Sequence, residues 1–177
     1  MSIFLTRPKS QYVLFLALLM LAAVAGFQYT FQVIHQPLAP RTIVDFEFAW
    51  TPANAQEMMS VWGAAGDVAA RQSLFIDFGF MPVYALAFAG FTLLAARSAK
   101  GRVQTPGLWL AVAPFVSAVC DAVENLCLLN TLDNAASPSA ALLTLAGVMA
   151  AIKFALLLAA LVYWLLVIAL RLKRTAH

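Results

Sequence analysis

The sequence predicts an all-α, polytopic membrane protein with four transmembrane helices, both termini inside (N-in/C-in), and an outward amphipathic segment between helices 1 and 2. Three observations predict it. Hydrophobic residues make up 63% of the 177, while charged residues make up 11%, against roughly 25% in an ordinary soluble domain. The apolar residues gather into four long runs, giving a mean hydropathy of +0.86. Basic residues cluster at alternate ends of those runs. Such a composition excludes a soluble enzyme, a disordered regulator and a nucleic-acid-binding domain. Two cysteines cannot form a disulfide framework.

Each run is long enough for the roughly 20 residues that cross a bilayer core. The first covers residues 11–34 and carries no charge. Arg7 and Lys9 before it, and Ala23-Val24-Ala25 within it, are compatible with a cleaved signal segment. The run continues through Phe27, Tyr29 and Phe31, so a retained anchor is expected. The second span covers 73–96, between Arg71 and Arg97; the third covers 107–131. The fourth, 139–170, exceeds one perpendicular crossing and is expected to tilt or protrude. The outer connection, 35–72, opens a helix at Thr51-Pro52, a capping residue followed by proline at the first helical position. Met58, Val61, Trp62, Ala65 and Ala69 are expected to form its apolar face on the membrane surface, with Gly63 and Gly66 weakening it. One domain, 1–177, is expected, without internal repeats.

Basic residues set the orientation. Arg7, Lys9, Arg97, Lys100, Arg102, Arg171, Lys173 and Arg174 fall on one side, and only Arg41 and Arg71 on the other. The formal charge of +3 therefore belongs to a cytoplasmic rim and implies no nucleic-acid partner. The expected location is the bacterial inner membrane, multi-pass, with cytoplasmic termini.

Ionisable residues inside a span cost roughly 2.5–3.5 kcal/mol each on insertion scales and are functional candidates by default. Asp77 lies near the outer entry of the second span, and Asp121, Glu124 and Asn125 in the outer half of the third. Lys153 precedes Arg171 by 18 residues, about 27 Å at 1.5 Å per residue, which also places it toward the outside. Gln28, Gln32 and His35 form one stripe at the outer end of the first span. Asp45 and Glu47 lie in the outer connection. Ser117, Asp121, Glu124, Asn125 and Leu128 share a helix face, as do Asp77, Met81, Tyr84 and Phe88. The pattern predicts a polar site in the outer half of the bundle, with charge at its mouth and aromatic walls below, which suits an amphiphile.

Asp77, Asp121, Glu124 and Lys153 sum to −2 if all are ionised, which low dielectric disfavours. A carboxyl holding a proton, Arg71 reaching inward, or a bound cation would each resolve this. Plainer readings stand beside the functional one. Asp121 and Glu124 form an ion-pair network with Lys153 that fixes helix register; Asp77 caps its helix; Asp45 and Glu47 are solvated loop acids; His35 is an interfacial hydrogen-bonder. Trp50, Trp62 and Trp109 read as interfacial belt residues, and Cys120 and Cys127 as packing residues. Gly147, Ala151, Ala155 and Ala159, with Ala22 and Gly26, read as close-packing ridges. Pro82 and Pro114 are expected to kink their helices.

Two histidines and no CxxC pair disfavour haem, di-iron and thiol-redox chemistry. No metal ligand set is assigned, no cofactor is specified, and a carboxylate-only site for a hard cation stays open.

Asp45-Phe46-Glu47-Phe48-Ala49, Ala55-Gln56-Glu57, Trp62, Ile76-Asp77-Phe78-Gly79-Phe80, Tyr84, Asp121-Ala122-Val123-Glu124-Asn125 and Lys153-Phe154 together resemble an uncharacterised family of short bacterial four-span membrane proteins. The resemblance spans roughly residues 43–156 and implies that these acids define the family; it supplies no activity. Four-span sterol-isomerase and sigma-2-receptor-like proteins are similar in architecture alone.

Three functions follow as expectations. The first is binding or transformation of a lipid-like amphiphile, with Asp121 and Glu124 as catalytic acid/base. Asp77, Asn125, Lys153, Tyr84, Asp45, Glu47, His35 and Gln32 are its ligand-binding residues, with membrane lipid as partner. The second is an accessory subunit of a homo-oligomer or larger membrane complex. The third is cation- or proton-coupled transport, which four spans without a repeat make the weakest.

Overall fold

A computed structural model describes residues 3–175, with side chains described as far as residue 172; Lys173 and Arg174, counted above for orientation, lie outside the described side chains, as does His177. Every regular element among the described residues is helical: α1 (Ile3–Thr6), α2 (Ser10–Ile34), α3 (Ile43–Glu47), α4 (Pro52–Ser98), α5 (Gln104–Leu110), α6 (Ala113–Asp133) and α7 (Ala140–Thr175), with 3₁₀ turns at Gln36–Leu38 and Gly101–Val103. Four stretches are long and apolar enough to cross a membrane: Ser10–Ile34, Pro52–Ser98, Gly101–Asp133 and Ala140–Leu172. Only 11% of the most apolar window of α2 is buried by protein. So large an apolar surface is untenable in water and fits a lipid environment.

The boundaries have local causes. Thr51 caps α4, accepting from Asn54 N at 3.3 Å, and Pro52 takes the first helical position. Gly63 sits at φ 59°, ψ −163° inside α4, backbone that only glycine adopts readily, so residues 52–62 and 64–98 are two helices meeting at a bend. The break expected at Pro114 falls just before it, at Ala111 and Val112, and Pro114 occupies the first turn of α6, where its missing N–H costs no hydrogen bond.

The chain forms two compact units. The first comprises residues 1–24, 82–118 and 153–177. Its core joins Ala96, Ala99, Leu108, Tyr163 and Val167. Tyr163 donates to Val103 O at 3.1 Å, and Trp164 Nε1 donates to Thr92 Oγ1 at 2.7 Å. Close approach in this unit occurs at Ala17 and Gly90, where a Cβ on Gly90 would lie 2.8 Å from Ala17 Cβ. Ala22 and Gly26, expected to do this, are exposed.

The second unit comprises residues 25–81 and 119–152. Leu38, Ile43, Phe46 and Ala49 bring the connection after α2 into its core with Trp62, Leu74, Leu128 and Leu143. Trp62 is buried, its ring 5.1 Å from that of Phe46 and its Nε1 donating to Leu38 O at 2.8 Å. It is therefore a core residue and not a belt residue. Met58 is buried beside it, whereas Val61 and Ala65 are exposed, so the inward face of residues 52–62 is narrower than expected and is spent on the protein's own core. Trp50 and Trp109 are exposed. On α7 the inward stripe runs through Leu143, Ala146, Ala150, Lys153 and Ala160, while Ala151, Ala155 and Ala159 face out. Of the expected ridge only Gly147 is inward, with the Trp50 ring 2.7 Å from where its Cβ would stand.

The units divide the acids completely and the bases unevenly. The first holds nine of the eleven Lys and Arg residues and no Asp or Glu; the second holds Arg41, Arg71 and all eight acids. Formal charges are thus +9 and −6, which sum to the chain's +3.

Candidate functional site

The helical period of α6 places its polar residues on one face. Ser117, Asp121, Glu124, Asn125 and Leu128 are all buried, Glu124 completely. Val119 and Leu126, on other faces, are exposed. The predicted inward stripe is therefore the observed one. An acid at this depth must be held by polar groups or protons, and Asp121 and Glu124 both take part in polar interactions.

Asn125 joins this stripe to α4. Its Nδ2 donates to Asp77 Oδ2 at 2.8 Å and also approaches Leu74 O at 3.3 Å. Asp77 is half-buried, so one carboxylate of the second unit combines a fixed orientation with partial access. Sequence-predicted polar residues of α4 and α6 thus meet at an amide–carboxylate pair within this unit.

His35 lies at the end of α2, half-buried and stacked on Phe31 at a centroid distance of 5.5 Å. Its Nε2 shares a 2.7 Å hydrogen bond with Ser73 Oγ. Removal from water lowers its pKa from the usual 6.5, because burial disfavours the imidazolium. This agrees with a hydrogen-bonding role for His35. Gln28 and Gln32 are exposed. The inward residues of this end of α2 are the aromatic ring of Phe31 and the imidazole of His35, so Gln32 is set apart from the site by the rotation of its helix.

The two acids of the connection after α2 part company. Asp45 closes a capping box on α3: Oδ2 accepts from Thr42 N at 2.7 Å and Thr42 Oγ1 at 2.9 Å, while Asp45 N donates to Thr42 Oγ1 at 3.1 Å. Those bonds lower its pKa and commit it to the helix start. Asp45, expected as a ligand residue, is placed by the structure as the cap of α3. Glu47, two residues on, is buried. Arg71 does not reach toward Asp77. It bonds Asp67 Oδ2 at 2.9 Å and pairs with Asp133 at the end of α6.

Tyr84 and Lys153 belong to the first unit. Tyr84 is buried. Lys153 is buried too, with Nζ 4.8 Å from the Phe154 ring centroid, and its backbone carbonyl accepts from Ser117 Oγ at 3.2 Å.

Sequence reasoning missed Ser73 as the partner of His35, Thr42 as the partner of Asp45, and Thr92 as the partner of Trp164. Thr42-x-x-Asp45 before an apolar residue is a legible capping signal; no comparable local signal marks Ser73 or Thr92. Among the described residues no three His, Cys, Asp or Glu side chains converge as a metal ligand set. Compared with family models, curated proteins and solved structures, the chain matches none.

Proposed function

We propose that this chain is an integral protein of a bacterial inner membrane that binds or transforms a lipid-like amphiphile at the acids of its second unit. Asp121 and Glu124 serve as proton donor and acceptor. Asp77, held by Asn125, orients the polar end of the ligand, and Glu47 and His35 complete the polar set. One observation carries the reading: two carboxylates, Asp121 and Glu124, are buried one helical turn apart on α6, and the adjoining Asn125 fixes a third, Asp77, that is only half-buried. Buried titratable groups with an accessible neighbour are the usual composition of proton-handling sites. Cytoplasmic termini are supported by the basic residues at both ends and at 97–102, and by their scarcity elsewhere.

The test is lipid mass spectrometry on full-length protein extracted in mild detergent. The wild type is expected to carry an amphiphile enriched above its share of the bulk membrane. The Asp121→Asn, Glu124→Gln double variant is expected to lose it while keeping its helical circular dichroism. Identical lipid profiles for the two would contradict the proposal.

A structural reading, with the chain as a subunit of a homo-oligomer or larger membrane complex, is favoured by a different observation. The His35–Ser73, Asn125–Asp77 and Arg71–Asp133 contacts tie α2, α4 and α6 together within the second unit. In that case the acids fix helix register, and the double variant is strongly destabilised.

A further inference from the structure

The first unit holds a cleft of about 810 Å³, within the size range of small-molecule sites. Of the residues discussed above as site candidates only Phe88, read as an aromatic wall, lines it. Its walls are apolar and aromatic, with Phe88, Phe91 and Leu94 from α4 facing Trp164 and Ile168 from α7. Along α2 it runs from Ser10 to Val24, fourteen residues or about 21 Å of helix. That exceeds the roughly 15 Å half-thickness of a bilayer's hydrocarbon core, so an acyl chain fits lengthwise. One end is different in kind: Arg97, Arg171, Ser10 and Ser98 lie there.

Among the described residues nothing in the unit compensates the charge at that end. The unit contains no Asp or Glu at all. Arg97 donates from Nε to Phe4 O at 2.8 Å, from Nη1 to Ser10 Oγ at 3.3 Å and from Nη2 to Arg7 O at 2.9 Å. All three acceptors are neutral, and a guanidinium has five N–H donors, so two remain and the charge is unopposed. Arg171 is exposed at the same end. Guanidinium groups bind phosphate, the anion of a phospholipid headgroup, through paired hydrogen bonds.

We infer that this cleft is a site for an anionic phospholipid, with its phosphodiester on Arg97 and Arg171 and an acyl chain between α4 and α7. The inference stands apart from the carboxylate site and survives its failure.

Trp164 in the cleft wall provides the readout. Full-length protein in neutral detergent is titrated with phosphatidylglycerol or phosphatidylcholine bearing brominated acyl chains, which quench nearby tryptophan. Half-maximal quenching is expected at a mole fraction at least about fivefold lower for phosphatidylglycerol, the preference one arginine near a membrane surface supplies. Trp164→Phe is expected to abolish the difference, since Trp50, Trp62 and Trp109 do not line the cleft. Arg171→Gln, at an exposed position that leaves the fold intact, is expected to reduce the preference, and Arg171→Glu to reverse it. Excess inorganic phosphate is expected to leave the quenching unchanged. Equal quenching by both lipids, an unaltered preference in Arg171→Gln, or displacement by free phosphate would each overturn the inference.

Discussion

Asn125 and Asp77, 48 residues apart in sequence, meet at 2.8 Å through an amide N–H on α6 and a carboxylate oxygen on α4. The same amide nitrogen lies 3.3 Å from Leu74 O. One side chain thus holds an acid in place and anchors to the neighbouring backbone. Removing the donor while leaving the acid forfeits a hydrogen bond to a charged acceptor, worth about 1.5–3 kcal/mol.

Asn125→Leu is therefore expected to lower the thermal midpoint in detergent by roughly 2–4 °C for each kcal/mol lost. Adding Asp77→Leu is expected to cost less than the sum of the two single losses, because both variants remove the same hydrogen bond. Additive losses in the double variant would show that the two side chains are not coupled.

Stability is expected to fall with acidification in two windows. His35 has a folded pKa below its usual 6.5, so the unfolded chain takes up the proton first. Its contribution is complete above pH 6.5 and is lost as pH falls through the lowered folded value. Asp45 is likewise lowered, from 3.8, by its bonds to Thr42, so the cap's contribution is present above that value and is lost below it. His35→Gln is expected to flatten the midpoint-versus-pH curve below pH 6.5 and leave the acid limb unchanged. A curve for His35→Gln that overlays the wild type would rule out His35 as its source.

Two glycines are expected to respond oppositely to alanine. Gly63 has φ +59°, and a Cβ there would meet nothing within 4 Å, so Gly63→Ala costs only backbone strain, about 1–3 kcal/mol. Gly26 is helical and equally open, so Gly26→Ala stabilises by roughly 0.5–1 kcal/mol. Thermal midpoints of the two variants check this, and shifts of the same sign would contradict the bend at Gly63.

Much of this was legible in the sequence. The four spans stand out because charge is scarce within them, and the α6 stripe because polar residues on an apolar helix have only one place to go. The ridge on α7 was misplaced for a related reason. With Leu, Val and Ala on every face, Gly147 and its alanine neighbours at four-residue spacing did not reveal which face was inward. Lys153 marked it, since Ala146, Ala150 and Ala160 share its side. Gln32 is exposed, and polarity alone does not orient a helix end near a membrane boundary. Arg71 reached Asp133 and not Asp77, an outcome set by where α6 ends. Trp62 needed an acceptor for its indole N–H once its neighbours Met58 and Phe46 turned inward.

The central claim is that Asp121 and Glu124 serve a ligand and are not framework. Neutral isosteres separate the two roles in a single measurement, the thermal midpoint of full-length Asp121→Asn, Glu124→Gln against wild type in the same detergent. Acids kept for function add little stability or oppose it, so the midpoint is expected to stay within about 4 °C of wild type or to rise. Breaking a buried structural charge network costs about 3–5 kcal/mol, which corresponds to a fall of roughly 6–20 °C. A fall of that size would contradict the account.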